Sequence, residues 1–319
     1  MSLGKRVMNR LRPAVSEAYL RGTETGRSIL PGHPGKFTPK RIGSQAEFTE
    51  YRNQTQPERM RRMELESSLA QEKSPFRTSG YCFVCSRWTH FSSSWSFCNE
   101  SEGGKQINWR EHLVCRHCQL NNRTRAAIHL LADAGLLSRN QRVYATEQTT
   151  QLFAHLKSRF DALVGSEHLG ESVPLGECNG AGVMNQDLTR LTFPENSFDL
   201  ILSFEVLEHV PNFSQGFREC ARVLRPGGKM LFSVPFNVNS TSNLIRARLL
   251  EDNSVEHLQT PEYHGDPINS EGCLCFQHFG WEMLEQVKQL GFSKISALLY
   301  YSRDYGYLGD GQIQFFAEK

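Results

Sequence analysis

The chain has 319 residues, 39% of them hydrophobic, and a formal net charge of +2. That length accommodates one large domain plus a small one, and the charge balance is ordinary for a soluble globular protein, demanding neither nucleic acid nor a membrane as partner. No apolar run approaches the ~20 residues of a spanning helix, no secretory leader is expected at Met1-Ser-Leu-Gly-Lys-Arg, and nine cysteines fit a reducing cytoplasm better than a disulfide framework.

Residues 1–78 read as an N-terminal extension, partly helical or flexible. Lys5, Arg6, Arg10 and Arg12 make its start basic. Residues 30–44, rich in Pro, Gly and Lys, read as linker. From Ala46 to Lys73 the dense mixed charge, as in Glu58-Arg-Met-Arg-Arg-Met-Glu, predicts a solvated helix. Nucleic-acid binding is the less favoured reading there.

Residues 79–126 carry two cysteine pairs, Cys82-Phe-Val-Cys85 and Cys115-Arg-His-Cys118. Two ligands separated by two residues can grip one face of a tetrahedral ion, and a second such pair closes the other face. A structural zinc ion on Cys82, Cys85, Cys115 and Cys118 is therefore expected, in a zinc-ribbon-like module. Four core thiols or redox chemistry are the rival readings. Trp88, Phe91, Trp95, Phe97 and Trp109 lie between the pairs and, with the metal, would hold so small a module together. Asn121-Asn-Arg-Thr-Arg-Ala then leads into an apolar helix through Leu131, expected to dock the module onto the next domain.

Residues 127–319 form the third region. From about residue 140, short strands alternate with helices. Arg142-Val-Tyr-Ala-Thr is a strand, followed by a helix with Leu152, Phe153, Leu156 and Phe160 on one face. Ala162-Leu-Val-Gly is a second strand and Phe198-Asp-Leu-Ile-Leu-Ser-Phe a buried one. A helix with Phe217, Cys220, Val223 and Leu224 inward ends at Arg225-Pro-Gly-Gly, and Lys229-Met-Leu-Phe-Ser-Val follows as a strand. Phe279–Leu290 reads as a helix ended by Gly291. Ile295–Tyr301 and Gln312–Ala317 close the chain as strands. This alternation predicts an α/β fold, doubly wound, with a mostly parallel sheet.

Asn185-Gln-Asp-Leu-Thr-Arg-Leu-Thr-Phe-Pro-Glu-Asn-Ser-Phe-Asp-Leu-Ile, Phe204-Glu-Val-Leu-Glu-His-Val and Arg222-Val-Leu-Arg-Pro-Gly-Gly-Lys resemble class I S-adenosylmethionine-dependent methyltransferases. The likeness is specific over about 183–236, looser over 140–319, and does not cover 1–139. It implies a Rossmann-like, seven-stranded domain that binds S-adenosyl-L-methionine. Carried over, Asp187 would take the adenine amino group, the backbone at Leu188 would face the ring, and Phe204 would stand at the cofactor-side strand end. Glu167 would bind both ribose hydroxyls, which suits a group that accepts two hydrogen bonds at once.

The first motif departs from that family. Its glycine-rich turn is replaced by Tyr144-Ala-Thr-Glu-Gln-Thr-Thr-Gln-Leu. Glu147 is expected to take the methionine amino group, with Thr149 and Thr150 offering hydroxyls or helix N-terminal amides to its carboxylate. A binding scaffold that has lost the cofactor is the rival reading.

Glu205, Glu208 and His209 follow the fourth strand of that domain. Placed on a helical turn, they would share a face. The string resembles the divalent-metal motif of ubiquinone-pathway O-methyltransferases and small-RNA 2′-O-methyltransferases. That resemblance implies a Mg2+ or Mn2+ site on Glu205, Glu208, His209 and a downstream histidine, His264 first and His257 second. Otherwise His209 serves as a plain base or core residue, with Glu208 and His264 beside it. Residues 237–276, which hold Arg246, Arg248, His257, Glu262, Tyr263, His264 and Asp266, would cover a hydroxyl-rich acceptor, a sugar or glycan. RNA or protein, recognised through the ribbon, is the alternative acceptor.

Overall fold

A computed structural model describes residues 34–70, 74–96, 98–101, 104–266 and 268–319. The basic start of the chain, Phe97 and the end of the charged segment at 71–73 lie outside the described residues. Residues Lys36–Lys319 cluster into one compact unit.

The segment expected to be linker instead supplies a strand. β1 (Lys40–Ile42) pairs antiparallel with the strand Lys294–Ser302, and Ile42 is fully buried. The charged segment forms two helices rather than one. α1 (Gln45–Gln54) starts at a reciprocal cap, with Ser44 Oγ accepting from Glu47 N–H at 3.2 Å and Glu47 accepting from Gly43 N–H at 2.8 Å. It stops at Thr55 because Pro57 begins a new helix, α2 (Gln56–Leu69), in the first turn, where proline is tolerated.

The cysteine pairs sit on a three-stranded antiparallel sheet of β2 (Phe76–Cys82), β3 (Arg87–Ser93) and β4 (Val114–Cys115). α3 (Asn122–Asp133) follows, capped by Asn121. Then come β5 (Arg142–Ala145), α4 (Gln151–Lys157), β6 (Ala162–Gly165), β7 (Phe198–Phe204), α5 (Phe213–Val223) and β8 (Leu224–Ser233). α6 (Glu282–Gln289), β9 (Lys294–Ser302) and β10 (Tyr307–Glu318) end the chain. α6 begins later than expected because Phe279 bridges to Phe236 instead of coiling.

The central sheet runs β1-β9-β10-β8-β7-β5-β6. β6, β5, β7 and β8 are mutually parallel, while β10 and β1 run against their neighbours. Period-2 alternation splits the sheet's side chains between two cores. Phe198 and Ile201 of β7 join α5 and α6 on one face, whereas Leu200, Leu202 and Phe204 join α3, α4 and the cysteine module on the other. The packing is thus continuous across the boundary expected at 126/127. Arg125, fully buried, donates to the carbonyls of Leu113, Tyr305 and Gly306 at 3.1, 2.7 and 2.9 Å, tying the module to the β9–β10 turn. Among the described residues no helix is long and apolar enough to cross a membrane.

Candidate active site and cysteine cluster

In a doubly wound sheet the ligand crevice lies at the carboxyl ends of the parallel strands, where the connections diverge. A cavity of about 450 Å3 opens there, lined by Thr146 after β5, Ser166 and Glu167 after β6, Glu205 and His209 after β7, and Asp187 and Leu188 from the intervening loop. Of the expected cofactor residues, Glu167, Asp187 and Leu188 therefore stand in the wall. Glu147, Thr149, Thr150 and Phe204 do not line it.

The reason lies in the glycine-poor turn. Among the described residues none from 136 to 169 has a positive φ, so the path from β5 to α4 needs no glycine. The turn satisfies itself instead. Glu167 Oε1 accepts from the amides of Gln148 and Thr149 at 2.7 and 2.9 Å and from the Thr149 hydroxyl at 2.8 Å. The Thr150 hydroxyl donates to the Glu147 carboxylate, while its oxygen caps α4 by accepting from Phe153 N–H at 3.1 Å. Burial raises the Glu147 carboxyl, against the Thr150 bond and Arg123. Gly165 is required for another reason: a Cβ there would meet the Phe153 ring at 2.3 Å and the Glu147 carbonyl oxygen at 2.8 Å. Asp187 closes its own turn, Oδ1 accepting from Thr189 N–H and O–H at 2.8 and 2.7 Å.

Glu205 and Glu208 do not share a helical face. The chain leaves β7 through a left-handed residue, Glu205 at φ 56°, and makes only a single 3₁₀ turn, Leu207–His209. A non-glycine residue at such a φ is uncommon and marks a place that the surroundings enforce. Glu205 is drawn to Arg110, with which it forms an ion pair. Arg110 lies 95 residues earlier in the chain and carries no local signal.

Glu208 turns inward and is fully buried, with neither carboxylate oxygen hydrogen-bonded. His209 Nε2 and His264 Nδ1 each approach its Oε1 to 3.7 Å, and the two imidazoles meet edge to face at 5.0 Å. Glu208, His209 and His264 thus converge as a ligand set; Glu205 is not part of it, and His257 is exposed on a hairpin.

Of the supports of this cluster, the sequence marks Glu262 and Arg246 only as polar residues of the covering segment and does not mark Leu274 or His278. His209 Nδ1 donates to the Leu274 carbonyl at 2.9 Å, which leaves Nε2 as its acceptor. Glu262, two residues before His264, accepts from His264 and His278 at 2.9 and 3.1 Å and pairs with Arg246. Burial pushes the Glu208 carboxyl up to about 7, helped by Glu205. Glu208 and then Glu262 push His264 up to about 9, and burial lowers His209. His264 is thereby held as the cation between two carboxylates while His209 stays neutral. From the covering segment, Asp266 lines the cavity together with Leu249 and Ile268, which are 47% and 44% exposed.

The four expected zinc cysteines converge. Cys82 and Cys118 sulfurs are 3.8 Å apart, Cys85 and Cys115 are 3.9 Å apart, and all four lie within 4.8 Å of one another. Bonds of about 2.3 Å to a tetrahedral zinc would place sulfurs about 3.8 Å apart. Each pair ends in a left-handed residue, Ser86 or Gln119, which gives the two loops the same tight curl.

A crevice of this kind, outside the carboxyl ends of the parallel strands, is where open doubly wound sheets bind their ligands. A family model described as a methyltransferase domain matches residues 136–232. A probable S-adenosylmethionine-dependent methyltransferase of Mycobacterium tuberculosis is 31% identical over 88 residues, 28% of this chain and 30% of that protein. The ubiquinone biosynthesis O-methyltransferase of Coxiella burnetii is 44% identical over 48 residues, 15% of this chain and 20% of that protein. The chain thus spans less than a third of the length of these curated relatives. Among solved structures, an S-adenosylmethionine-dependent methyltransferase of Mesorhizobium loti is similar at 15% identity and a TM-score of 0.38, over 60% of this chain and 98% of that one.

Proposed function

We propose that the chain is an S-adenosylmethionine-dependent methyltransferase acting on an oxygen of a polar, hydroxyl-bearing acceptor such as a sugar or glycan. Glu208 carries the reading. A buried carboxylate without a hydrogen bond, flanked by two imidazole nitrogens at 3.7 Å, is a costly arrangement in a merely structural place. It stands where the strand before it delivers the chain to the cofactor crevice.

Glu167 would receive the ribose hydroxyls. The turn's three hydrogen bonds all fall on its Oε1, and Oε2 is the oxygen offered to a diol. Asp187 and Leu188 would meet the adenine. The methionine end falls to Glu147, Thr149 and Thr150: the Thr149 amide and hydroxyl and the Thr150 hydroxyl are engaged within the turn, while Glu147 Oε1 is buried without a hydrogen-bond partner and is the acceptor left for the amino group.

Transfer is an in-line displacement at the sulfonium methyl, and the acceptor hydroxyl must lose its proton. His209 Nε2, neutral and oriented by the Leu274 carbonyl, is the group to take it. Glu208, His209 and His264 also fit a divalent cation, Mg2+ or Mn2+, since neither oxygen of the buried carboxylate has a hydrogen-bond partner and the three side chains converge. Bound there, such a cation would lower the pKa of a chelated hydroxyl. Cys82, Cys85, Cys115 and Cys118 would hold a structural zinc.

Calorimetry with S-adenosylmethionine tests the reading. Saturable binding that Glu167→Ala weakens supports it; a chain that binds none is a scaffold, and the proposal fails.

A further inference from the structure

A second cavity, of about 290 Å3, lies outside the crevice just described. Its wall carries four cations, Lys40, Arg52, Arg59 and Arg62, and one carboxylate, Asp310, with the rings of Phe48, Tyr51, Phe236, Tyr300 and Tyr301 around them. Asp310 is held by Arg59, whose Nε donates at 2.9 Å, and by Arg52 at 3.8 Å. Lys40 is 3.9 Å from Glu47, and Arg62 pairs with Glu58. Glu66 is turned to the Gly309 amide, accepting from it at 2.7 Å. Asp310 is thus shared between two guanidiniums, and the wall itself carries four cations to one carboxylate. Arg62 stacks on Tyr301, 4.2 Å from its ring centre, and its buried Nε has no hydrogen-bond acceptor. A stacked guanidinium keeps its donors fixed in a plane suited to a tetrahedral or planar oxyanion.

The cavity opens on the same edge of the sheet as the crevice. Phe236 and Val238 follow the carboxyl end of β8. Because Phe232 of β8 pairs with Phe315 of antiparallel β10, Asp310 lies beyond that same end. Tyr300 and Tyr301 stand at the carboxyl end of β9. Strands lie about 4.8 Å apart, so β10 and β9, two and three places from β7, set the two sites roughly 10–15 Å apart.

We propose that this basic cavity binds a phosphate group carried by the methyl acceptor, at the end remote from the hydroxyl presented to His209. This rests on the methyltransferase reading for the acceptor's identity, but the anion site itself does not.

The test uses the full chain and inorganic phosphate, titrated by calorimetry, with acetate as the carboxylate control. Phosphate should bind at one site. Arg52→Gln, at a partly exposed position that Asp310 holds only loosely, should weaken it about tenfold, as loss of a charge-assisted contact does. Asp310→Asn should tighten it, because the competing carboxylate is gone. S-adenosylmethionine affinity should not change in either variant. Phosphate affinity unmoved by both substitutions, no phosphate binding by the wild type, or acetate bound as tightly as phosphate would overturn the proposal. A wild type that binds phosphate in this substitution-sensitive way but no S-adenosylmethionine would support the anion site and overturn its link to methyl transfer.

Discussion

Replacing Glu208 with glutamine keeps the side chain's shape and removes its charge. Burial and the neighbouring Glu205 raise this carboxyl from 4.5 to about 7. A raised acid binds protons in the folded state that the unfolded chain has already released. Cation-free protein should therefore lose stability as pH climbs through the window from 4.5 to about 7. His264 works alongside: held up to about 9, it contributes stability present below 6.5 and lost as pH rises through about 9. Moving one carboxyl over that range corresponds to roughly 3 kcal/mol. Because Glu208 and His264 act on each other, the two effects are one quantity, on the order of 1–3 kcal/mol for the pair. At pH 9, where His264 is about half discharged, Glu208→Gln should therefore be more stable than wild type by about 1–3 kcal/mol, and the advantage should vanish near pH 5. Added Mg2+ or Mn2+ should reverse the order. A cation at a hundred times its dissociation constant stabilises the wild type by about 2.7 kcal/mol and leaves the variant unmoved. Denaturant unfolding at pH 5, 7 and 9, with and without the cation and with no chelator that would strip the cysteines, measures both effects. A variant less stable than wild type at pH 9, or equally stabilised by Mn2+, would refute the reasoning.

Elemental analysis should find about one zinc per chain, and Cys115→Ser should lower stability by several kcal/mol. Because the module shares its core with β7 and β9, unfolding in that variant should remain a single transition, read by circular dichroism and tryptophan fluorescence together. Glu167→Ala should weaken S-adenosylmethionine binding by roughly tenfold to a thousandfold, as loss of charge-assisted hydrogen bonds does; an unchanged titration would show that the ribose lies elsewhere. His209→Ala should lower the methyl-transfer rate by about a hundredfold to ten-thousandfold without changing cofactor affinity. Wild-type turnover of the true acceptor by His209→Ala, His264→Ala protein would end the proposed role of both.

The parallel part of the sheet is legible in sequence because its strands are short apolar runs between clear breakers. β7 and β8 fall where those runs predict. β1 is not legible: three residues, two of them charged, make an edge strand whose partner Leu299 is 259 residues from Lys40, and nothing local marks it. The glycine-poor turn departs from the family pattern because its backbone needs no left-handed residue, while the left-handed residue that directly follows β7, Glu205, is of a type that gives no hint of it. Helical spacing groups Glu205 with Glu208 only if the chain coils there. The ion pair with Arg110 and the single 3₁₀ turn send the two carboxylates apart, and only long-range packing decides that.

That packing also gives the cysteine cluster a part in the site. Between its two pairs the chain runs through Trp109 and Arg110. Trp109 lies so close over Gly309, itself at φ 100°, that a Cβ there would stand 2.9 Å from the tryptophan's own Cβ. Asn122 Nδ2 fixes the same approach, donating to the carbonyls of Trp109 at 3.1 Å and Leu308 at 2.8 Å. Arg110, 3.5 Å from Glu111, reaches on to Glu205 in the cavity wall. A metal held by Cys115 and Cys118 would fix the segment that presents Arg110, and the Arg110–Glu205 ion pair would then brace the strand end that delivers Glu208 and His209. Arg110→Ala should then reproduce, without touching a cysteine, any weakening of the cation-dependent stabilisation that partial zinc loss brings. If Arg110→Ala keeps the full Mn2+ stabilisation while zinc loss abolishes it, the brace runs by another path.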